Sequence, residues 1–362
     1  MQSMTEARRV MTICNACRYC EGLCATFQAM TLRRSFAEAD LDYLANLCHN
    51  CTACYHGCQY APPHEFDLNV PQALTALRIE TYQKYAWPGF FAKLFERNGL
   101  VMSLATAASL ALVMVLAALV QEPHILFGNH SGPGSFYAVI GHDTMVVIGV
   151  ATFGFSVFAL ALGFARFWRA AGGRMSVSAI IAALRNVATL KYLDGGHGDG
   201  CSSEDERASN ARRYFHQLTM WGFLLCFAAT CIAAVYDYGL GRTAPYPFLS
   251  LPVIVGTVGG SGLLIGPVGL GWVKLRSDQR PMLVRHYGMD YAFLALLFLV
   301  SLTGLALLAL RETQAMGMLL AIHLGFVLGL FVTLPYSKFV HAIYRLAALI
   351  RFAGERRTSK QE

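Results

Sequence analysis

Eight of the eleven cysteines lie in two runs of identical spacing near the start of the chain. Each run has the spacing C-x2-C-x2-C-x3-C: Cys14, Cys17, Cys20 and Cys24, then Cys48, Cys51, Cys54 and Cys58. Three thiolates spaced in this way on a tight loop can reach three corners of an iron–sulfur cube. In two-cluster ferredoxin arrangements the last cysteine of each run binds the other cluster. We therefore expect two [4Fe–4S] clusters: cluster 1 on Cys14, Cys17, Cys20 and Cys58, and cluster 2 on Cys48, Cys51, Cys54 and Cys24.

The alternative for these cysteines is a pair of zinc sites. Zinc motifs pair CxxC units across longer gaps, so the triple CxxCxxC favours clusters. Proline usually follows the fourth cysteine of a ferredoxin run, whereas Ala25 and Gln59 follow it here. Two neighbouring clusters would form a path for single electrons rather than a catalytic centre.

Four histidines fall within or beside long apolar runs, at two depths. His323 and His341 are 18 residues apart, which on one continuous helix is five full turns and about 27 Å along the axis. If the apolar runs cross a membrane, His142 lies near its outer side, as His323 does, and His216 lies near its inner side, as His341 does. An imidazole inside a membrane span is costly and usually functional.

We therefore expect one or two b-type haems with two histidine ligands each. The outer haem would be held by His142 and His323, and the inner haem by His216 and His341. A single histidine in a span can also serve as an interhelical hydrogen-bonding group. His286 is an alternative inner ligand, or a neighbour of a quinone pocket with Asp290 and Arg285.

The composition predicts that membrane helices position these residues. Of 362 residues, 55% are hydrophobic and 14% charged, against about 25% charged in soluble domains. This argues against a wholly soluble enzyme, a disordered chain and a secreted disulfide scaffold. Six uncharged runs could cross a bilayer core of about 30 Å: 100–120, 144–165, 218–236, 243–273, 291–310 and 313–337. The fourth run is dense in glycine, which in a span indicates close approach of a helix or porphyrin.

Basic residues alternate between the connections of these runs. The segment 166–213 carries eight Lys or Arg, whereas 121–139 carries none. This alternation predicts a multi-pass protein of the bacterial inner membrane with both termini cytoplasmic. The net charge of +7 is thus a topology signal, and no nucleic-acid partner is expected.

The predicted fold class is an all-α integral membrane protein: a six-helix bundle with a small ferredoxin-like two-cluster domain. Its parts are a cluster domain at 1–95, a cytochrome b-like bundle at 96–345 and a basic cytoplasmic tail at 346–362. The inner loop 166–213 contains an amphipathic helix at 176–193, placed at the membrane surface. A glycine-rich turn follows at 194–201 and is interpreted as a mobile loop, with a metal pair of His197 and Cys201 as the alternative. Arg33, Arg34 and Arg78 are candidates for a docking surface, although a plain solvated face is the simpler interpretation.

Four segments carry a family resemblance: Ile13–Cys24, Leu47–Pro63, Asn69–Leu74 and Arg213–Phe223. The chain resembles the tricarballylate-utilization protein B family, also called CitB, over nearly its whole length. The resemblance implies an accessory electron carrier that re-oxidises the reduced flavin of a partner FAD-dependent dehydrogenase. That partner would act on tricarballylate or a similar tricarboxylate, and the electrons would pass through iron–sulfur clusters and haem to quinone.

Two other functions fit the same residues. One is a redox-sensing membrane protein or transporter that uses the clusters as a sensor, although no inverted repeat is visible. The other is a quinone-linked reductase that delivers electrons to a soluble partner.

Overall fold

The computed structural model describes residues 2–196, 198–202 and 207–358, with the Arg285 side chain left out. Within these residues the chain is almost entirely helical. Its α-helices are α1 Gln2–Cys17, α2 Ala25–Met30, α3 Glu38–Leu47, α4 Ala53–His56, α5 Val70–Tyr85, α6 Asn98–Val120, α7 Pro123–Leu126, α8 Ser135–Val139, α9 His142–Ala171, α10 Val177–Thr189, α11 Ala211–Ala234, α12 Leu251–Arg276, α13 Tyr287–Leu310, α14 Met316–Thr333 and α15 Val340–Thr358. Two short strands, β1 Cys201–Ser202 and β2 Ala208–Ser209, pair antiparallel.

Six of the described helices are long and apolar enough to cross a membrane, which confirms the predicted spans. They are Asn98–Val120, His142–Ala171, Ala211–Gly239, Leu251–Arg276, Tyr287–Leu310 and Met316–Tyr336. Much of their apolar surface faces outward: Leu119 and Leu275, for example, are 77% and 72% exposed. In water this surface would be unfavourable, so the bundle is that of a multi-pass membrane protein.

Glycines bring α11 and α12 into backbone contact. A Cβ on Gly222 would lie 2.8 Å from the Gly259 carbonyl oxygen, and one on Gly259 would lie 2.8 Å from the Cys226 nitrogen. Small residues let membrane helices pack at this distance. The glycine-dense fourth span therefore packs against the third.

The cysteine-bearing helices form a second core with the last helix of the chain. Tyr43 of α3 and Tyr82 of α5 are completely buried, and Phe352 of α15 is 1% exposed. All three belong to one cluster of buried apolar side chains. Residues 346–358 of the predicted basic tail are therefore part of a packed helix, and 359–362 lie outside the described residues.

The expectation of one continuous sixth helix carrying both His323 and His341 is wrong. Helix α14 ends at Thr333, and a short 3-10 turn follows at Leu334–Tyr336. Ser337 is extended, with ψ −176°, and α15 starts at Val340. The two histidines lie on different helices, so the five-turn spacing does not describe their relative position.

The inner loop packs against the cluster domain. Helix α10 lies against α15 and buries Ala179 and Ala183 completely. Its opposite side leaves Val177, Ile181 and Leu184 exposed at 74%, 61% and 50%. This apolar stripe is the one that the amphipathic pattern assigns to a membrane surface.

Candidate functional site

The end of α1 and the turn after α4 form the first cysteine cavity. Cys14 and Cys17 lie on the last turn of α1, and Cys20 follows the left-handed residue Arg18 (φ 57°). Cys58 comes from the second run, after α4. These four cysteines line one cavity, so the structure brings together the set predicted for cluster 1.

The second cavity takes three cysteines from the second run and its fourth from the first run. Cys48 caps α3, the left-handed residue Asn50 (φ 54°) turns the chain, and Cys51 and Cys54 follow. Cys24, at the start of α2, comes from the first run. All four line one cavity, which is the set predicted for cluster 2.

The chemistry of these thiols fits a cationic cluster. Burial, together with neighbouring thiols, raises the pKa values of Cys14, Cys20 and Cys24 to about 12. Four thiolates so close together need positive charge between them, and iron bound as a cluster supplies it. Within the described part of the chain, no group of three Cys, His, Asp or Glu is placed to hold a single metal ion.

Three arginines surround the loop that carries Cys48. Arg78 donates to the Cys48 carbonyl at 2.6 Å, and Arg212 donates to the Asn50 carbonyl at 2.7 Å. Arg345 donates to the carbonyl of Leu47, and burial lowers the pKa of Arg345 to about 10. Positive charge is therefore concentrated at the second cavity.

The docking-surface prediction is wrong for two of its three arginines. Arg78 is 7% exposed. The Arg33 side chain pairs with Asp40 at 2.9 Å and with Glu355 at 2.5 Å. Only Arg34 of the three is exposed.

The inner histidines do meet. The ring centroids of His216 and His341 are 6.1 Å apart, with an interplanar angle of 82°. His341 Nδ1 donates to the Lys338 carbonyl at 2.5 Å, which leaves Nε2 unprotonated. When two imidazoles bind one metal ion from opposite sides with bonds of about 2 Å, their ligating nitrogens are about 4 Å apart. Each ring centroid lies beyond its ligating nitrogen, so the centroids are further apart than the nitrogens. The observed spacing is compatible with a shared metal.

A polar cavity of about 150 Å³ adjoins this pair. Lys274 and Lys338 line it and pair with Asp290 at 2.6 and 2.8 Å. His49 lines both this cavity and the second cysteine cavity, whereas the alternative ligand His286 lines neither. The volume is below the roughly 300–1,000 Å³ of ligand pockets, so a porphyrin here requires α11 and α15 to separate.

The structure does not bring the outer histidines into one site. His142 Nε2 lies 2.6 Å from Asp237 Oδ2, and its Nδ1 lies 3.1 Å from Asp143 Oδ1. His323 lines a separate cavity of about 590 Å³ that His142 does not line. His323 Nδ1 lies 3.1 Å from the hydroxyl of Thr303.

Both parts of the chain match models of known protein families. Residues 7–84 match the model of the citrate utilization protein B Fer4-like domain. Residues 93–362 match the model of citrate utilization protein B. The chain belongs to the citrate utilization protein B family. A citrate utilization protein B of Escherichia coli is 49% identical, covering 98% of this chain and 93% of the relative. No solved structure matches the chain.

In this citrate utilization protein B family member, the sequence analysis did not place Cys201 at the second cysteine cavity. Cys201 of β1 shares a hydrogen bond with the Cys51 thiol. The Thr52 hydroxyl donates to the Ser202 carbonyl at 2.7 Å, and Gly195 lines the second cysteine cavity. The described part of the 194–201 turn therefore lies against this cavity. His197 lies outside the described residues, and the one signal for contact was a cysteine directly after the glycines.

Proposed function

We propose that this chain is the membrane electron carrier of a tricarboxylate-utilisation system. It re-oxidises the reduced flavin of a partner FAD-dependent dehydrogenase that acts on tricarballylate or a similar tricarboxylate, and it passes the electrons to quinone. The Fer4-like domain and the name of the Escherichia coli relative support this role. The partner's substrate is inferred from that name and from the family resemblance.

The exchange of the fourth cysteine between the two runs is the observation that carries the proposal. Cys58 completes the first cavity and Cys24 the second. Cys20 of the first set also interacts electrostatically with Cys24 of the second. Two [4Fe–4S] clusters held in this way would be close neighbours, as in two-cluster ferredoxins.

When bound, the clusters and haem supply one-electron steps between two carriers that exchange two electrons. The reduced flavin loses two electrons and two protons, and the quinone takes up two of each to become quinol. The residues of the chain contribute burial, charge and spacing rather than acid–base catalysis. The Phe27 and Leu68 side chains line the first cysteine cavity, and they are 3% and 1% exposed.

We further propose that His216 and His341 hold an inner b-type haem. The two imidazoles face each other between α11 and α15, which supports this. Once the two helices separate to admit a porphyrin, Arg212, Lys274 and Lys338 beside them could pair with the carboxylates of the haem. His49, between this cavity and the second cysteine cavity, lies on the route from cluster 2. The predicted outer pair, His142 and His323, gains no such support.

The proposed orientation follows the distribution of Lys and Arg. Both termini, and with them the cluster domain and α15, would face the cytoplasm of a bacterium, with the bundle in the inner membrane. The flavoprotein would then dock on the cytoplasmic side. Quinone would be reached from the bilayer.

Cofactor content tests this proposal on protein purified anaerobically in mild detergent. We expect about eight acid-labile sulfides per chain and at least one b haem by pyridine haemochrome. The Cys54→Ser variant should lose about half of the sulfide. The control, Cys231→Ser, changes an exposed cysteine of α11 and should lose none.

Electron delivery is tested with the protein reduced by dithionite in nanodiscs. Added menaquinone should re-oxidise the cluster and haem signals. Zinc in place of iron, or clusters that stay reduced in the presence of quinone, would contradict the proposal.

A further inference from the structure

We propose that the cavity around His323 is a binding site for the isoprenoid quinone and its quinol. This inference rests on the proposed function, in which quinone accepts the electrons. Below, the His323 cavity means the space of about 590 Å³ between α9, α11, α12, α13 and α14. Its volume falls in the range of about 300–1,000 Å³ that small-molecule sites have.

The lining of the His323 cavity selects a neutral ligand. Its side chains are mostly aliphatic or aromatic, and among the residues that the structure describes none in the lining is Lys, Arg, Asp or Glu. A haem bound here would bury two carboxylates without a cation, which is costly. A quinone carries no charge, so it avoids this cost.

His323 is the group that can recognise the head of such a ligand. The Thr303 hydroxyl donates to the Leu299 carbonyl at 2.7 Å, so it accepts a hydrogen bond from His323 Nδ1 at 3.1 Å. That tautomer leaves Nε2 with a lone pair that can accept from a quinol hydroxyl. The hydroxyl of Ser301, also in the lining, donates to the Gly260 carbonyl instead.

The His323 cavity opens on the side of the bundle that lipid would cover. Val150, Phe227 and Tyr238 line it and are 68%, 43% and 67% exposed. A ligand dissolved in the bilayer can therefore enter sideways between α9 and α11.

The shape of the His323 cavity suits a long ligand and leads toward the inner histidines. Along α14 and into the turn after it, the lining runs from His323 to Leu334, which is about 16 Å at 1.5 Å per residue. At this inner end, Phe223 packs against Phe339 with centroids 5.5 Å apart. Phe339 is two residues before His341.

Two glycines of α9 allow a matched test. A Cβ on Gly149 or on Gly154 would have no atom within 4 Å, but only Gly149 lines the His323 cavity. Gly149→Leu adds a branched side chain at the wall of the His323 cavity, at a position where the Cβ itself meets no atom within 4 Å, and Gly154→Leu makes the same change away from the cavity. The probe is heptyl-hydroxyquinoline N-oxide, a fluorescent quinol analogue whose fluorescence is quenched on binding, titrated into protein in nanodiscs.

We expect Gly149→Leu and His323→Leu each to weaken probe binding about tenfold or more. Gly149→Leu takes up space that the ring of the probe needs, and His323→Leu removes a hydrogen bond to it. Gly154→Leu should stay within about twofold of the parent protein. Decyl-ubiquinone should displace the probe from the parent protein. Unchanged binding in Gly149→Leu overturns the assignment, and so does loss of one b haem per chain in His323→Leu.

Failure of this assignment and failure of the proposed function give different results. If the clusters are present and quinone re-oxidises them while Gly149→Leu binds the probe normally, only the site is wrong. If the clusters are absent and Gly149→Leu still abolishes probe binding, the site stands and the electron-transfer role fails.

Discussion

Single charged residues distinguish the two cysteine sites. Arg78, Arg212 and Arg345 all donate to backbone carbonyls of residues 47–50, next to the second cavity. A nearby cation stabilises the reduced, more negative form of a cluster. We therefore expect cluster 2 to have the higher reduction potential, which directs electrons from cluster 1 toward the inner histidines.

We predict that Arg78→Gln lowers the reduction potential of cluster 2. A charge lost several ångströms away is worth on the order of 1–2 kcal/mol, or roughly 40–90 mV for one electron. Redox titration followed by electron paramagnetic resonance measures the shift. Arg78→Lys should retain most of the parent potential because it keeps the charge.

The matched control is Arg34→Gln, which removes an exposed arginine of the same domain and should leave both potentials unchanged. An equal fall for both clusters in Arg78→Gln would instead indicate general damage to the domain.

Among the elements, the pair α11 and α12 depends on backbone contact. A Cβ on Gly222 would lie 2.8 Å from the Gly259 carbonyl oxygen and 2.9 Å from the Leu263 nitrogen. Backbone atoms cannot move aside as a flexible side chain can, so the helices must separate to admit a methyl group. This contact holds together the walls of both the inner cavity and the His323 cavity.

For these helices we predict that Gly222→Ala lowers the free energy of unfolding by about 1–3 kcal/mol, measured by denaturant titration in mixed micelles. Gly271→Ala is the control, because a Cβ there meets nothing within 4 Å. It should be neutral or stabilising by up to about 1 kcal/mol through helix propensity. Equal stability of the two variants would disprove the role of close approach.

For the whole molecule, the return of α15 to the cluster domain joins the two parts of the chain. Glu355 of α15 accepts from Arg33, from Arg351 at 2.8 Å and from Tyr43 at 3.1 Å. Asp40 of α3 pairs with the same two arginines, each at 2.9 Å. This network fixes α15, and therefore His341 at its start, relative to the cysteine cavities.

We predict that Glu355→Ala destabilises this junction by about 1–3 kcal/mol, because two partly buried arginines lose a carboxylate. Thermal unfolding and proteolytic cleavage within α15 measure the effect. The control is Arg356→Ala, an exposed position on the same helix, which should change stability by less than about 0.5 kcal/mol. Resistance of Glu355→Ala to cleavage equal to that of the parent would contradict the prediction.

The same junction should respond to acid. Burial alone would raise the pKa of Asp40, but hydrogen bonds and charge from Arg33 and Arg351 hold it below its usual value. The stability that Asp40 contributes is therefore present above its unfolded pKa of about 3.9 and is lost as the pH falls through the lower folded value. Asp40→Asn should weaken this acid-dependent loss in a thermal melt measured against pH.

Local patterns were enough to predict much of this protein. The spacing of the cysteines predicted three members of each cavity, because short loops limit where a thiol can reach, and the two-cluster ferredoxin arrangement predicted the exchanged fourth. The six spans followed from hydropathy, because an uncharged run of about 20 residues matches the thickness of a bilayer. Close packing of the fourth span followed from its glycines.

Long-range contacts decided the rest. Counting residues from His323 to His341 could not reveal that Ser337 breaks the helix and turns α15 toward the cluster domain. The same holds for Cys201, which lies 150 residues after Cys51 in the chain yet shares a hydrogen bond with it. Such contacts depend on how helices pack in three dimensions, and no local spacing encodes them.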